Sequence, residues 1–222
     1  MKNIKKITAM FLAVLTIFGS ACVPCAYADN LKCTPTDYEE STVASISVVS
    51  RITNITGHVW LYIENKSAQE LKLGHYFLPA GEGVSVSLLS FSCSDGWGIY
   101  YNVESYCNNT FSNRGAYSLT EDLDAKEFEK ISSYIEGYSN HWDPVFNCMF
   151  FAFTAWNKVS SKKLIPLVLP IFGQIQMMLY GAESNSLDMY YPSADRVYRQ
   201  RGFGSLGHLE QVSSKSIDSD IG

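Results

Sequence analysis

The sequence predicts an α+β fold: an antiparallel β-meander of about four to five strands, packed against a cysteine-bearing helix and further helices. Three observations predict it. From Val43 to Tyr106 the chain is built of runs rich in β-branched and aromatic residues, separated by short polar or Gly/Pro-containing turns. From about residue 118 the apolar residues recur instead at three- and four-residue intervals, the period of a helix with one buried face. The 222 residues, 46% hydrophobic and 14% aromatic, suffice for one domain with a sizeable core and argue against disorder.

Residues 1–28 have the form of a secretory signal. Lys2, Lys5 and Lys6 precede an apolar run from Ile7 to Gly19 that is too short to span a bilayer, and Ala26-Tyr27-Ala28 supplies a cleavage site before Asp29. A lipoprotein signal ending at Cys22 is the alternative, with Gly19 in place of the usual bulky aliphatic residue. The protein is therefore expected to be secreted. The net charge is −5, and near −8 once the three lysines leave (14 basic against 22 acidic residues). With no basic stretch interleaved with aromatics, nucleic acid is not an expected partner.

Residues 29–42 read as a polar leader, and 43–205 as the domain. Val43–Ile55 and Gly57–Glu64 are expected strands. Asn65–Ala68 is the expected turn, Gln69–Leu78 the returning strand, and Pro79–Gly83 a turn into Val84–Phe91. Trp97–Tyr106 is a further strand candidate. A helix is expected from Ser118 or Thr120, carried by Leu123, Phe128, Ile131, Ile135 and Tyr138, with Gly137 and Asn140 as stops. Residues 164–191 form an apolar insertion broken by Pro166, Pro170 and Gly173, with a short helix over Gln174–Tyr180. One last helix is expected over Ser193–Arg201, and 206–222 read as a flexible tail.

The stretch Asn147–Asn157 (NCMFFAFTAWN) carries the candidate chemistry. Phe150, Phe153, Trp156 and Asn157 recur at helical spacing, and either Asp143-Pro144 or Asn147 can start the helix. Either start puts Cys148 near the first turn, where unpaired N–H groups and the helix dipole favour a thiolate. Against this stands the ordinary behaviour of cysteine as a small buried apolar residue. Cys33, Cys93, Cys107 and Cys148 remain after the signal, an even number that permits two disulfides. A Cys33–Cys148 bond would leave no nucleophile, whereas Cys93 and Cys107 could close a loop around Gly96-Trp97-Gly98.

A turn at 65–68 sets Glu64 against Gln69 and His58 directly opposite His75, both on the face of Trp60, Tyr62, Leu71 and Leu73. A thiol nucleophile needs one histidine as base and a second polar group to orient it, roles that His58, His75 and Cys148 would fill. Glu64 or Glu104 could orient His58 instead. Four histidines and many carboxylates are present, but no HExxH or CxxC…CxxC spacing, so no metal or other cofactor is expected.

Thr56-Gly57-His58, Gly74-His75-Tyr76, Asn147-Cys148-x-x-Phe151-Ala152 and Trp156-Asn157, in that order, resemble the circularly permuted branch of the papain-like superfamily. That branch joins NlpC-type cell-wall peptidases to lecithin–retinol acyltransferase-like enzymes. The resemblance covers about residues 45–203 and implies a permuted papain-like fold. It implies Cys148 as nucleophile, His58 as general base and acid, His75 as orienting residue, and the Cys148 N–H as an oxyanion donor. It also implies a cysteine hydrolase acting on a peptidoglycan peptide or another amide or acyl substrate. An acyltransferase or lipid ester hydrolase is the first alternative, and a non-catalytic secreted binding or toxin-like module the second. The 164–181 stretch or a lipid anchor at Cys22 would give membrane contact.

Overall fold

The computed structural model describes residues 41–53, 56–91, 96–107, 115–139, 147–167, 169–184 and 187–213. The expected signal, Cys22, Cys33, Cys93, His141, Asp143-Pro144 and the last nine residues lie outside them.

Among the described residues the architecture is mixed α/β, with a large antiparallel sheet and four helices. In chain order the strands are β1 (Ala44–Thr53), β2 (Thr56–Asn65), β3 (Leu71–Leu73), β4 (Tyr76–Leu78), β5 (Gly83–Phe91), β6 (Gly96–Tyr101), β7 (Ala116–Leu123), β8 (Glu183–Ser184), β9 (Tyr198–Arg201) and β10 (His208–Gln211). The helices are α1 (Val103–Cys107), α2 (Ala125–Gly137), α3 (Cys148–Trp156) and α4 (Pro170–Leu179). Eight strands form one sheet in the order β10-β9-β6-β5-β2-β1-β7-β8, wider than the expected four or five, and β3 and β4 form a separate ribbon.

Strict alternation along the central strands decides which face is filled by what. Ile46, Val48, Val59, Leu61, Ile63, Val84, Val86, Leu88 and Ile99 point to one face, where α2, α3 and α4 cover them through Phe128, Ile131, Ile135, Met149, Phe151, Phe153, Trp156 and Met177. Each such large side chain, fully buried, stabilises the fold by about 1.5–3 kcal/mol. The other face carries Val49, Trp60, Tyr62 and Ala116, closed over by Met189, and beside them Tyr100, packed on Val103, Val197 and Val212.

Several expectations are corrected. β2 does not pair with residues 69–78; it pairs with β1 along its whole length, so that Arg51, not His75, stands opposite His58. Gly74, at φ +59°, instead turns 71–78 back on itself as the β3–β4 ribbon. Ser118 to Leu123, read as the start of a helix, belong to strand β7. The helix begins after Asp124, whose side chain accepts from the Glu127 N–H while Glu127 reaches back to the Asp124 N–H, a capping box. The helix expected over Ser193–Arg201 is one short 3₁₀ turn, Ala194–Arg196, followed by β9. β10, within the stretch expected as a tail, adds a strand to the sheet.

The feature that positions the site is a fork between β2 and β5. Their ladder runs only from Glu64↔Gly83 to Leu61↔Val86. Beyond it β2 continues on β1 to Thr53↔Thr56, and β5 continues on β6 to Phe91↔Gly96. The edge of β2 from Gly57 to Trp60 therefore has no β5 ladder against it.

Candidate active site

Asn147 starts α3. Its extended backbone (φ −107°, ψ −171°) lets the side-chain Oδ1 accept from the N–H groups of Met149 (3.0 Å) and Phe150 (3.1 Å), while its carbonyl accepts from the Phe151 N–H (3.0 Å). Of the two starts the sequence permits, this one puts Cys148 at the first helical position. The rest of α3 is held by burial of Met149, Phe151, Ala152, Phe153, Ala155 and Trp156. Cys148 is half-buried and, among the described residues, carries no disulfide; Cys33, the partner that would remove the thiol, lies outside them.

His58 lies on the face of the sheet opposite the one α3 covers, stacked on Trp60 at 5.6 Å between ring centroids. The two groups nevertheless meet, because α3 begins where the β2–β5 ladder has stopped. There the Cys148 sulfur accepts from the Val59 N–H, in place of a β5 carbonyl neighbour, and hydrogen-bonds the His58 ring.

Glu104 is the third member. β6 ends at Tyr101, and the next residue, Asn102, turns the chain sharply into α1 through its positive φ of 68°. Asn102 Nδ2 donates to Tyr76 Oη (3.1 Å) and to the Arg196 carbonyl (3.0 Å), locking that turn. Two residues on, Glu104 Oε1 lies 2.7 Å from His58 Nε2, the carboxylate side chain only 9% exposed and the ring 27%. Nε2 being bonded to Glu104, Nδ1 is the ring nitrogen left to face the sulfur.

The electrostatics follow from these contacts. Burial opposes charge on all three groups, and pairing overcomes it. His58 is pushed up from 6.5 to about 10: burial alone would lower it, but the thiolate of Cys148 and then the Glu104 carboxylate favour the imidazolium. The Cys148 thiol is held below its ordinary value. Burial would raise it, and His58, followed by the N–H groups of Val59 and Met149, more than compensates. Burial would likewise raise the Glu104 carboxyl, yet His58 keeps it below the usual carboxylate range. The Ser87 hydroxyl faces this carboxylate and adds to that lowering, although its contact falls short of full hydrogen-bond geometry. The arrangement can hold a thiolate beside an imidazolium, the ground state of an activated thiol.

Of the three residues singled out from the sequence, Cys148 and His58 are brought together and His75 is not. His75 sits in the β3–β4 turn, where its backbone N–H bonds Tyr101 Oη. Its buried Nε2 is packed so closely on Gly207 that a Cβ there would lie 2.1 Å away. The orienting contact to His58 comes from Glu104 instead. His208 is exposed on β10, and among the described residues no cluster of metal-ligating side chains forms. Comparison with protein-family models, curated proteins and solved structures gives no match to this chain.

Proposed function

We propose that this chain is an exported cysteine hydrolase that cleaves an amide bond through a thioester on Cys148. His58 is the acid and base, and Glu104 the group that orients His58. The observation supporting this is the continuous Cys148–His58–Glu104 contact, in which a free thiol at a helix start meets an imidazole whose far nitrogen is held by a buried carboxylate. The order of the parts, histidine strand β2 before cysteine helix α3, accords with a permuted papain-like arrangement.

In this mechanism the thiolate attacks the carbonyl carbon and the carbon–sulfur bond forms. The resulting oxyanion is met by the Cys148 N–H, which has no intrahelical acceptor at the first helical position. The imidazolium gives its Nδ1 proton to the leaving amine as the C–N bond breaks, leaving a thioester. Neutral His58 then takes a proton from water, the hydroxide equivalent attacks the thioester, and the thiolate departs with its imidazolium restored. Glu104 keeps Nε2–H bonded throughout, fixing the ring so that Nδ1 faces the sulfur.

The signal-like segment at 1–28 makes a cell-wall peptide the favoured substrate class. A second reading, acyl transfer or lipid ester hydrolysis by the same thioester, is favoured by the exposed apolar surface of α4. The test is muropeptide release from purified cell wall. Release by the wild type and none by Cys148→Ala supports the peptidase reading. Turnover of acyl esters alone supports the second, and a wild type inert on both classes sinks the catalytic proposal.

A further inference from the structure

Residues 164–182 contain no charged side chain, and α4, within them, turns its apolar surface outward. Ile171, Ile175, Met178 and Leu179, at positions i, i+4, i+7 and i+8, form one exposed stripe, with Leu179 83% exposed. Leu169 and Tyr180 extend the stripe at its ends, and Ile165 is exposed beside it. The inner side of the helix is anchored. Met177 enters the main core, and a Cβ on Gly173 would lie 2.6 Å from Met149 Sδ. Gln176 bonds both the N–H (2.8 Å) and the carbonyl (2.9 Å) of Ile165. The stripe faces outward because the other side of the helix is fully engaged.

We infer that α4 is an interfacial helix that seats this face of the protein on an anionic lipid bilayer, its axis lying in the membrane plane. The dimensions favour this occupant over a second copy of the chain. Ten residues span about 15 Å, and a stripe about 10 Å wide covers roughly 150–200 Å², against about 800 Å² per partner in a stable interface. The helix is also too short to cross a hydrocarbon core of about 30 Å. Charge favours a negatively charged surface. Lys162 and Lys163 precede Ile165 on the segment that Gln176 ties to the helix, Lys163 exposed with its Nζ donating to the Asn157 carbonyl (2.6 Å), so the chain entering the apolar stretch carries two positive charges.

The start of α4 also packs against the strand that carries His58. A Cβ on Gly57, the residue before His58, would lie 3.1 Å from Pro170 Cβ. Docking through α4 therefore brings the Cys148–His58 pair to the membrane surface. That a substrate held at the bilayer is then processed rests on the function proposed above; the docking itself does not.

The experiment is co-sedimentation of the protein, purified in its exported form, with phosphatidylcholine vesicles with and without ~30% phosphatidylglycerol. The expected result is binding to the anionic vesicles that weakens at least tenfold in Ile175→Glu/Leu179→Glu. Lys162→Gln/Lys163→Gln should weaken binding to anionic vesicles alone. Alkylation of Cys148 in solution at pH 6 should stay at the wild-type rate in all of these variants, which shows that they fold. The inference is overturned if the wild type does not sediment with vesicles or if Ile175→Glu/Leu179→Glu binds undiminished. It is equally overturned if light scattering finds a dimer that the same substitutions dissolve. Vesicle binding with an unreactive Cys148 would overturn the proposed function alone, and a reactive Cys148 without binding would overturn the docking alone.

Discussion

Replacing Glu104 by glutamine keeps the shape of the orienting residue and removes its charge, 2.7 Å from His58 Nε2. A hydrogen bond to a charged group contributes about 1.5–3 kcal/mol net, and 1.36 kcal/mol corresponds to one pH unit. The imidazolium should therefore lose its proton one to two pH units earlier than in the wild type, where His58 stands at about 10. Because the thiolate is stabilised chiefly by that cation, its acid limb should move up by a similar amount. The assay is the rate of iodoacetamide alkylation of Cys148 against pH, read from the Cys148 peptide by mass spectrometry so that other cysteines do not contribute. A thiol at the ordinary value of 9.0 is thiolate at pH 6 in roughly one part per thousand. The wild type, whose thiol is held below that value, should instead react at pH 6 clearly faster than such a thiol. Glu104→Gln should slow the pH 6 reaction by about 10- to 100-fold and leave the rate near pH 9 little changed. A wild-type profile centred on the ordinary thiol range, or a Glu104→Gln profile superimposable on the wild type, would refute this reasoning.

Other consequences follow from the same geometry. His58, raised above 6.5, contributes stability that is full below that value and is lost as pH rises towards about 10. Cys148, lowered from 9.0, contributes stability that is full above 9 and is lost as pH falls through its depressed value. Below pH 9 the opposing slopes cancel wherever the two losses overlap, and above pH 9 only the His58 loss remains, so thermal unfolding should show a decline setting in above pH 9, and Cys148→Ser should remove that pattern. Asn147→Ala removes the acceptor for two N–H groups; chemical denaturation should record a loss of about 1 kcal/mol, and Cys148 alkylation at pH 6 should slow. Gly83→Ala places a Cβ 1.9 Å from Tyr62 Oη, and should cost about 1–3 kcal/mol in the same measurement. Gly57→Ala meets Ile52 Cδ1 at 2.6 Å and the Arg51 carbonyl at 2.9 Å, which should displace the His58 strand and slow alkylation as well as lower the midpoint.

The parts of the site that a local signal encodes were legible in the sequence. An Asn cap followed by an apolar helical period located Cys148 at a helix start, and a Gly-His pair opening a β-branched and aromatic run located His58 on a strand. The sheet register was not legible. Asn65–Ala68 looks like a hairpin turn, but its side chains bond locally, Asn65 Nδ2 to the Gln69 carbonyl and Ser67 N–H to Asn65 Oδ1. Gly74 then folds the next segment onto itself, leaving β1 and β5 to flank β2. That choice is made by long-range packing, and it replaced His75 with Arg51 opposite His58. Glu104 is one of the two carboxylates the sequence offers as an orienting group, but local sequence does not position it. The helix carrying it is five residues long, and the turn that creates it depends on one Asn with positive φ inside a run that reads as strand. The Asp124-x-x-Glu127 capping box was a readable helix start; the apolar periodicity just before it obscured the strand–helix boundary.

The central claim is that Cys148 and His58 share one proton as a thiolate–imidazolium pair, and nitrogen NMR of the His58 ring tests it most directly. Both ring nitrogens should remain protonated at pH 8, with loss of the proton near pH 10, and Cys148→Ala should return the ring towards ordinary imidazole titration. A wild-type His58 that titrates near 6.5, unchanged by Cys148→Ala, would contradict it.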